Sequence, residues 1–423
     1  MRDSFCWNPF TDQPHNIASR KDRFRKHFHY APGYIRLFAS NFRKMVPILS
    51  IYKKYKRKMY KEPVEIGNPF GVSISPENGR EKELISCLKE TGVCKTIIRI
   101  PSWDKEKIFT CEKFIEGLRK ERVEVTLALL QRRDDVIFPC RWKKFLEEIF
   151  SRFGKVCTFF EVGHAWNRTK WGVWDYREYL ELVKPAVYLA KKYGVRLIGP
   201  AVIDFEFHLY PPLMEEIFFD KISSLLYVDR IGAPEKKQFG WDTSRKVALL
   251  KAVVDGCAGV PRDVWITEFN WPLKGTGKYS PASGKPNVTE KQQADYLVRY
   301  IVLSLASGFI ERIYWWQLVA PGYGLIDNRD KEWRKRPSFF ALKTLISIIE
   351  GSSFLRKIPS EKAEIFLFEK EKANFAVCWM KEGEFDYVFP RRILNVIGRD
   401  GEEIFCRDNK VRICESPKYV FLK

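Results

Sequence analysis

The chain has 423 residues, of which 45% are hydrophobic and 15% aromatic, and it carries a formal net charge of +21. That length and apolar content give one large domain or two to three smaller ones with a sizeable core, and no segment reaches the roughly 18 apolar residues of a membrane-spanning helix. The ten cysteines include no C-x-x-C pair, which argues against a zinc site, and their scatter through apolar runs reads as reduced core thiols of a cytoplasmic protein.

Residues 1–62 read as a basic, aromatic arm. From Arg20 to Lys61 the cations Lys21, Arg23, Arg25, Lys26, Arg36, Arg43, Lys44, Lys53, Lys54 and Lys56–Lys58 face a single acid, Asp22. Phe24, Phe28, Tyr30, Tyr34, Ile35, Phe38, Phe42 and Leu49 interleave with them. Two readings stand: an amphipathic arm for an anionic membrane face, placing the protein peripherally at the inner membrane, or a helical appendage packed on the next domain. Positive charge also suits nucleic acid, but RNP, zinc-finger and helix-turn-helix signatures are absent, so nucleic acid is set aside as a partner.

Residues 63–351 alternate short β-rich runs with longer helical ones. The predicted strands are Phe70–Ser75, Thr96–Pro101, Glu124–Leu130, Thr158–Gly163, Arg196–Val202, Tyr227–Gly232, Val264–Phe269 and Arg312–Leu318. Helical patterns lie between them at Arg80–Thr91, Cys111–Glu121, Arg141–Phe153, Asp175–Tyr193, Pro212–Ser224, Thr243–Val254 and Glu290–Ser307, with Pro337–Glu350 last. Eight such alternations make an α/β fold, the (β/α)8 TIM barrel. A doubly wound sheet would need a Gly-rich first turn, and Ser75-Pro-Glu-Asn-Gly79 is not one. Beyond Gly351, strands at Ala363–Glu369, Asn374–Trp379, Tyr387–Phe389 and Val411–Ile413 predict a small β-rich C-terminal appendage over residues 352–423.

A barrel of this kind carries its site at the C-terminal ends of its strands. Those ends supply Arg99, then His164, Asn167, Arg168, Lys170 and Trp171, then His208, then Tyr227, then Glu268 and Trp271, then Trp315 and Trp316. One central carboxylate among Trp, Arg and Asn side chains suits a polyhydroxylated ligand: the Trp faces stack on sugar C–H faces, and Arg and Asn donate to hydroxyls. Arg168 and Lys170 are placed to hold an acidic group. No metal ligand set and no organic cofactor are indicated.

With these residues in place, the segment 67–351 resembles the clan A glycoside hydrolases, nearest to the β-xylosidase and α-L-iduronidase group. The resemblance implies that Glu268 is the nucleophile of a retaining site, that Arg99 is the clan's strand-two arginine, and that Trp315 or Trp316 is the sugar floor. The clan's fourth strand ends Glu-Val-Trp-Asn-Glu-Pro-Asn, its second Glu being the general acid/base. Here the register reads Glu161-Val-Gly-His164-Ala165-Trp-Asn167, so Ala165 stands where the acid belongs. The segments Asn167–Gly172 and Val228–Glu235 also resemble bacterial proteins of lipopolysaccharide and surface-polysaccharide gene sets, which implies an envelope glycan.

A retaining glycosidase needs two carboxylates about 5–5.5 Å apart, and a positioned general acid contributes about 10²–10⁴-fold. Glu161 is no substitute, lying roughly 13 Å down an ideal strand at about 3.3 Å per residue. Three readings remain open. His164, His208, Glu206 or Glu235 supplies the proton. Alternatively, Glu268 attacks a phosphate-linked donor whose leaving group needs none, with Arg132, Arg133, Arg168, Lys170 and Arg230 around the phosphate. Or the barrel binds glycan without catalysis.

Overall fold

The computed structural model describes residues 6–15, 30–76, 79–229, 231–281 and 287–423. Eight parallel strands close a barrel: β1 (Phe70–Ser73), β2 (Lys95–Pro101), β3 (Glu124–Leu130), β4 (Phe159–Val162), β5 (Arg196–Ile203), β6 (Lys221–Leu225), β7 (Val264–Phe269) and β8 (Arg312–Trp315), with β8 pairing back onto β1. Their nearly continuous apolar runs are what strands buried on both faces require. Inside, Ile97, Phe159, Ile198, Leu225, Trp265 and Tyr314 fill the lumen. A Cβ at Gly71 would stand 2.3 Å from the Tyr314 ring, so glycine on β1 makes room for that tyrosine.

Besides a single turn at Arg133–Ile137, the helices are α1 (Ala31–Lys58), α2 (Glu81–Thr91), α3 (Lys105–Lys120), α4 (Pro139–Phe153), α5 (Tyr176–Tyr193), α6 (Tyr210–Met214), α7 (Thr243–Ala258), α8 (Glu290–Leu305) and α9 (Pro337–Ile349). Side-chain oxygens of Asp104, Asp175, Asp242 and Thr289 accept from first-turn amides and fix where α3, α5, α7 and α8 begin. The sixth strand differs from its predicted place. Lys221–Leu225 forms it, rather than Tyr227–Gly232, and the predicted helix Pro212–Ser224 shrinks to α6. The polar pair Ser223 and Ser224 hid this strand. Both are fully buried, and both are satisfied by β5: Ser223 Oγ accepts from the Ala201 amide at 3.1 Å, and Ser224 Oγ donates to the Val202 carbonyl at 3.4 Å.

The C-terminal appendage is a six-stranded antiparallel sheet in the order Ile393–Gly398, Lys418–Leu422, Ala373–Met380, Ala363–Lys370, Ser352–Ile358 and Val64–Ile66, beside a ribbon of Phe385–Val388 and Lys410–Ile413. The edge strand Val64–Ile66 comes from just before β1. Glu235 ties sheet to barrel, accepting from Arg299 at 3.1 Å and from Trp379 Nε1 at 2.7 Å.

The basic arm is in part a helix. α1 lies on α6 and α7, seating Ile48 against Gly256, and Asn41 donates to the His208 carbonyl at 2.8 Å. Residues 20–29 of the arm lie outside the described residues. Among the described residues no helix is long and apolar enough to cross a membrane. Near the start of the chain, Trp7–Asn8 pairs with Gln13–Pro14 in a short antiparallel hairpin that lies over the C-terminal mouth of the barrel.

Candidate active site

Glu268, on β7, is nearly buried at the mouth. Two donors hold it. Arg99 Nη2, from β2, donates to Oε2, and the Tyr227 hydroxyl, two residues beyond β6, donates to Oε1. Burial pushes the Glu268 carboxyl up, while the Arg99 charge and both hydrogen bonds pull it back towards the ionised form. Burial and the Glu268 charge keep Tyr227 well above the ordinary phenol range, so it stays a donor.

His164 lies on the third side, its Nε2 3.6 Å from Glu268 Oε2 and 2.8 Å from Arg99 Nη2. A guanidinium only donates, so Nε2 accepts and the ring proton sits on Nδ1. Burial first, then the Arg99 and Lys170 charges, hold the imidazole well below its ordinary pKa. His164 is therefore a neutral acceptor and has no proton to give a leaving group from Nε2. Arg99 also lies flat on Trp316, with Cζ 3.2 Å from the ring centroid.

The turn after β4 is built from two left-handed residues, Gly163 and Ala165, at φ +79° and +42°. A Cβ at Gly163 would stand 2.7 Å from the Tyr179 ring, so the clan's Trp cannot occupy this position. Trp166 instead stacks on Tyr179 at 4.7 Å, and its Nε1 donates to the Pro200 carbonyl at 2.8 Å. Ala165 is fully buried beneath the mouth. Residues 163–166 are thus committed to packing.

Solved structures share this architecture. Over 85% of this chain and 81% of its own, a family 39 glycoside hydrolase from Bacteroides cellulosilyticus superposes with a TM-score of 0.68 at 15% identity. A family 30 endoxylanase from Clostridium papyrosolvens gives 0.59 at 12% identity over 86% of this chain and 98% of its own. A family 51 arabinofuranosidase from Xanthomonas axonopodis gives 0.57 at 11% over 87% and 96%. No family model and no curated protein sequence matches the chain. The fold is that of the clan A glycoside hydrolases.

On this clan A frame the remaining sequence candidates separate. Trp316 faces the mouth with Ala320 and Tyr323, whereas Trp315 and Trp271 face the helix layer. Trp271 Nε1 donates to the Gly232 carbonyl at 2.9 Å, and Trp315 packs edge-on to Phe269. Trp171 lies beside His164, ring centroids 4.6 Å apart. Asn167 clamps the end of β5, exchanging two 3.0 Å bonds with the Ile203 backbone. His208 meets α1 through its backbone.

The candidate proton donors and phosphate ligands are engaged elsewhere. Glu206 accepts from Asn167 at 2.9 Å and from Arg168, whose Nη2 also donates to Asp204 at 2.6 Å. Glu235 braces the C-terminal sheet. Glu161 lies in the barrel interior, where Thr267 Oγ1 donates to it at 2.7 Å and burial pushes its carboxyl up to about 7. Arg132 pairs with Asp134 and Arg133 with Glu178, while Lys170 donates to Gln13; Arg230 lies outside the described residues.

Sequence reasoning passed over Asp12. Asp12 accepts from Arg99 Nη1 through its carbonyl at 3.1 Å and its carboxylate at 3.3 Å, and from Gln317 Nε2 at 3.0 Å. The only local signal was turn chemistry at Asn8-Pro9 and Asp12, between Trp7 and Pro14.

Proposed function

We propose that this chain is a glycoside-hydrolase-like protein directed at an envelope glycan, lipopolysaccharide or surface polysaccharide, with Glu268 as its nucleophile and without a general acid on β4. The observation that carries this reading is Glu268 at the end of β7, gripped by Arg99 and Tyr227 beside Trp316. Glu268 attacks the anomeric carbon from its Oε2 side, Tyr227 steadies the other oxygen, and Arg99 holds charge on the carboxylate. The leaving oxygen departs without a protein-supplied proton, which forfeits about 10²–10⁴-fold on poor leaving groups. The full burial of Ala165 favours a second reading, glycan binding without turnover. Transfer from a phosphate-linked donor has less support, because Arg132, Arg133 and Arg168 are paired with carboxylates.

The envelope assignment rests on the likeness of segments 167–172 and 228–235 to envelope-polysaccharide proteins, and on α1. Its outward side exposes Ile35, Phe38, Phe42 and Val46 (74%, 73%, 63% and 72%), and the same helical rows continue into exposed Lys53, Lys56 and Arg57. A convex apolar ridge running into cations, on a chain of net charge +21, fits an anionic lipid surface at the inner membrane face. Aryl glycosides graded by leaving-group pKa test the catalytic reading: turnover should fall steeply as the leaving group worsens and vanish in Glu268→Gln. Turnover that persists in Glu268→Gln removes the nucleophile.

A further inference from the structure

The hairpin of residues 6–15 spans the mouth rather than packing beside it. Trp7 stands 5.4 Å from Trp103, beyond β2, and 6.0 Å from Trp171, beyond β4. On the opposite rim, Phe10 meets Tyr279, beyond β7, edge-on at 5.5 Å, and Tyr323, beyond β8, reaches the Thr11 carbonyl at 3.5 Å. Between these rims Asp12 reaches down to Arg99. One guanidinium therefore serves two carboxylates, Nη1 holding Asp12 and Nη2 holding Glu268. Asp12 takes the left-handed backbone at φ +51°, the turn that aims its side chain inward.

We propose that this hairpin is an intramolecular plug that occupies the sugar-binding mouth and must leave before a glycan reaches Glu268. Each arm pairs over only two residues, and an isolated two-stranded hairpin is marginal in water. Its order therefore comes from its seat, and it opens as a local unit while the barrel stays folded. A ligand competing with it binds with an apparent constant weakened by the closed fraction. What the mouth binds rests on the sugar-site reading above; the seating of the hairpin does not.

The test compares the full-length chain with a Trp7→Ala, Asp12→Ala variant, which leaves Arg99 and Glu268 intact. Hydrogen exchange should find the amides of residues 6–15 protected in the parent and at least about tenfold faster in the variant, with β2 and β7 unchanged. Calorimetry with an imino sugar, whose protonated ring nitrogen mimics the positive charge of the glycosyl transition state, should give binding at least about tenfold tighter in the variant. Unprotected amides over residues 6–15 in the parent overturn the plug, as does sugar binding that is equal or weaker in the variant. If the imino sugar binds neither protein, the sugar-site reading fails, and the exchange of residues 6–15 alone decides whether the plug is seated.

Discussion

Arg99 and Glu268 form an ion pair almost out of water, with side chains 4% and 9% exposed. A buried carboxylate with one guanidinium is stable only while both remain. Removing the cation strands the charge and costs about 3–5 kcal/mol. Urea denaturation of Arg99→Met should show a loss of that order, and adding Glu268→Gln to it should recover much of it. Equal stability in Arg99→Met and the parent would mean that the pair is not the anchor of the site.

The proposal that β4 carries no general acid gives a second expectation. Ala165 already takes the left-handed backbone, so Ala165→Glu adds no backbone conformation that the turn does not already bear. Ala165 is fully buried, so the longer side chain reaches the mouth only by displacing its neighbours, and a carboxylate that does reach it should raise kcat/KM on alkyl glycosides by about 10²–10⁴-fold. Aryl glycosides with good leaving groups should gain little. A uniform gain on both substrates would point to altered binding rather than proton donation.

Much of this was legible in the chain. The β7 run Val264–Phe269 has only one residue able to carry charge at its mouth end, and that residue is Glu268. The β2 run of isoleucines interrupted by Arg99 was equally plain. Where sequence failed, the reason lies in contacts made across the fold. Ser223 and Ser224 satisfy their hydroxyls on β5, and the strand they belong to reads as polar. Trp315 and Trp316 are adjacent, and only the pleat decides which faces the mouth and which faces the helices. Asp12 lies 87 residues from Arg99, and no local pattern joins them.

Glu161 gives a pH signature. Its carboxyl titrates near 7 in the fold against an ordinary 4.5, so between those values the folded state holds a proton that the unfolded chain has released. Stability therefore falls as pH rises from about 4.5 through about 7, and the penalty is complete above 7, up to about 3 kcal/mol at about 1.4 kcal/mol per pH unit. Glu161→Gln removes the titrating group. Its melting temperature should fall less than that of the parent across this window, and superimposable curves would refute the assignment.

The outward ridge of α1 separates membrane docking from mere packing. Phe38 and Phe42 stack on each other, ring centroids 6.2 Å apart, with both side chains facing solvent. Neither supports the barrel, so Phe38→Glu and Phe42→Glu should leave the melting temperature within about 0.5 kcal/mol of the parent in stability terms. In a lipid interface each ring contributes up to about 1.5–3 kcal/mol, about tenfold or more in partition at about 1.4 kcal/mol per decade. Sedimentation with phosphatidylglycerol vesicles should therefore show binding that drops at least about tenfold in each variant and weakens with salt, because Lys53, Lys56 and Arg57 contribute through charge. Phosphatidylcholine vesicles should retain little of the parent. If the parent fails to sediment with either vesicle, the ridge faces something other than lipid, and the inner-membrane placement falls with it.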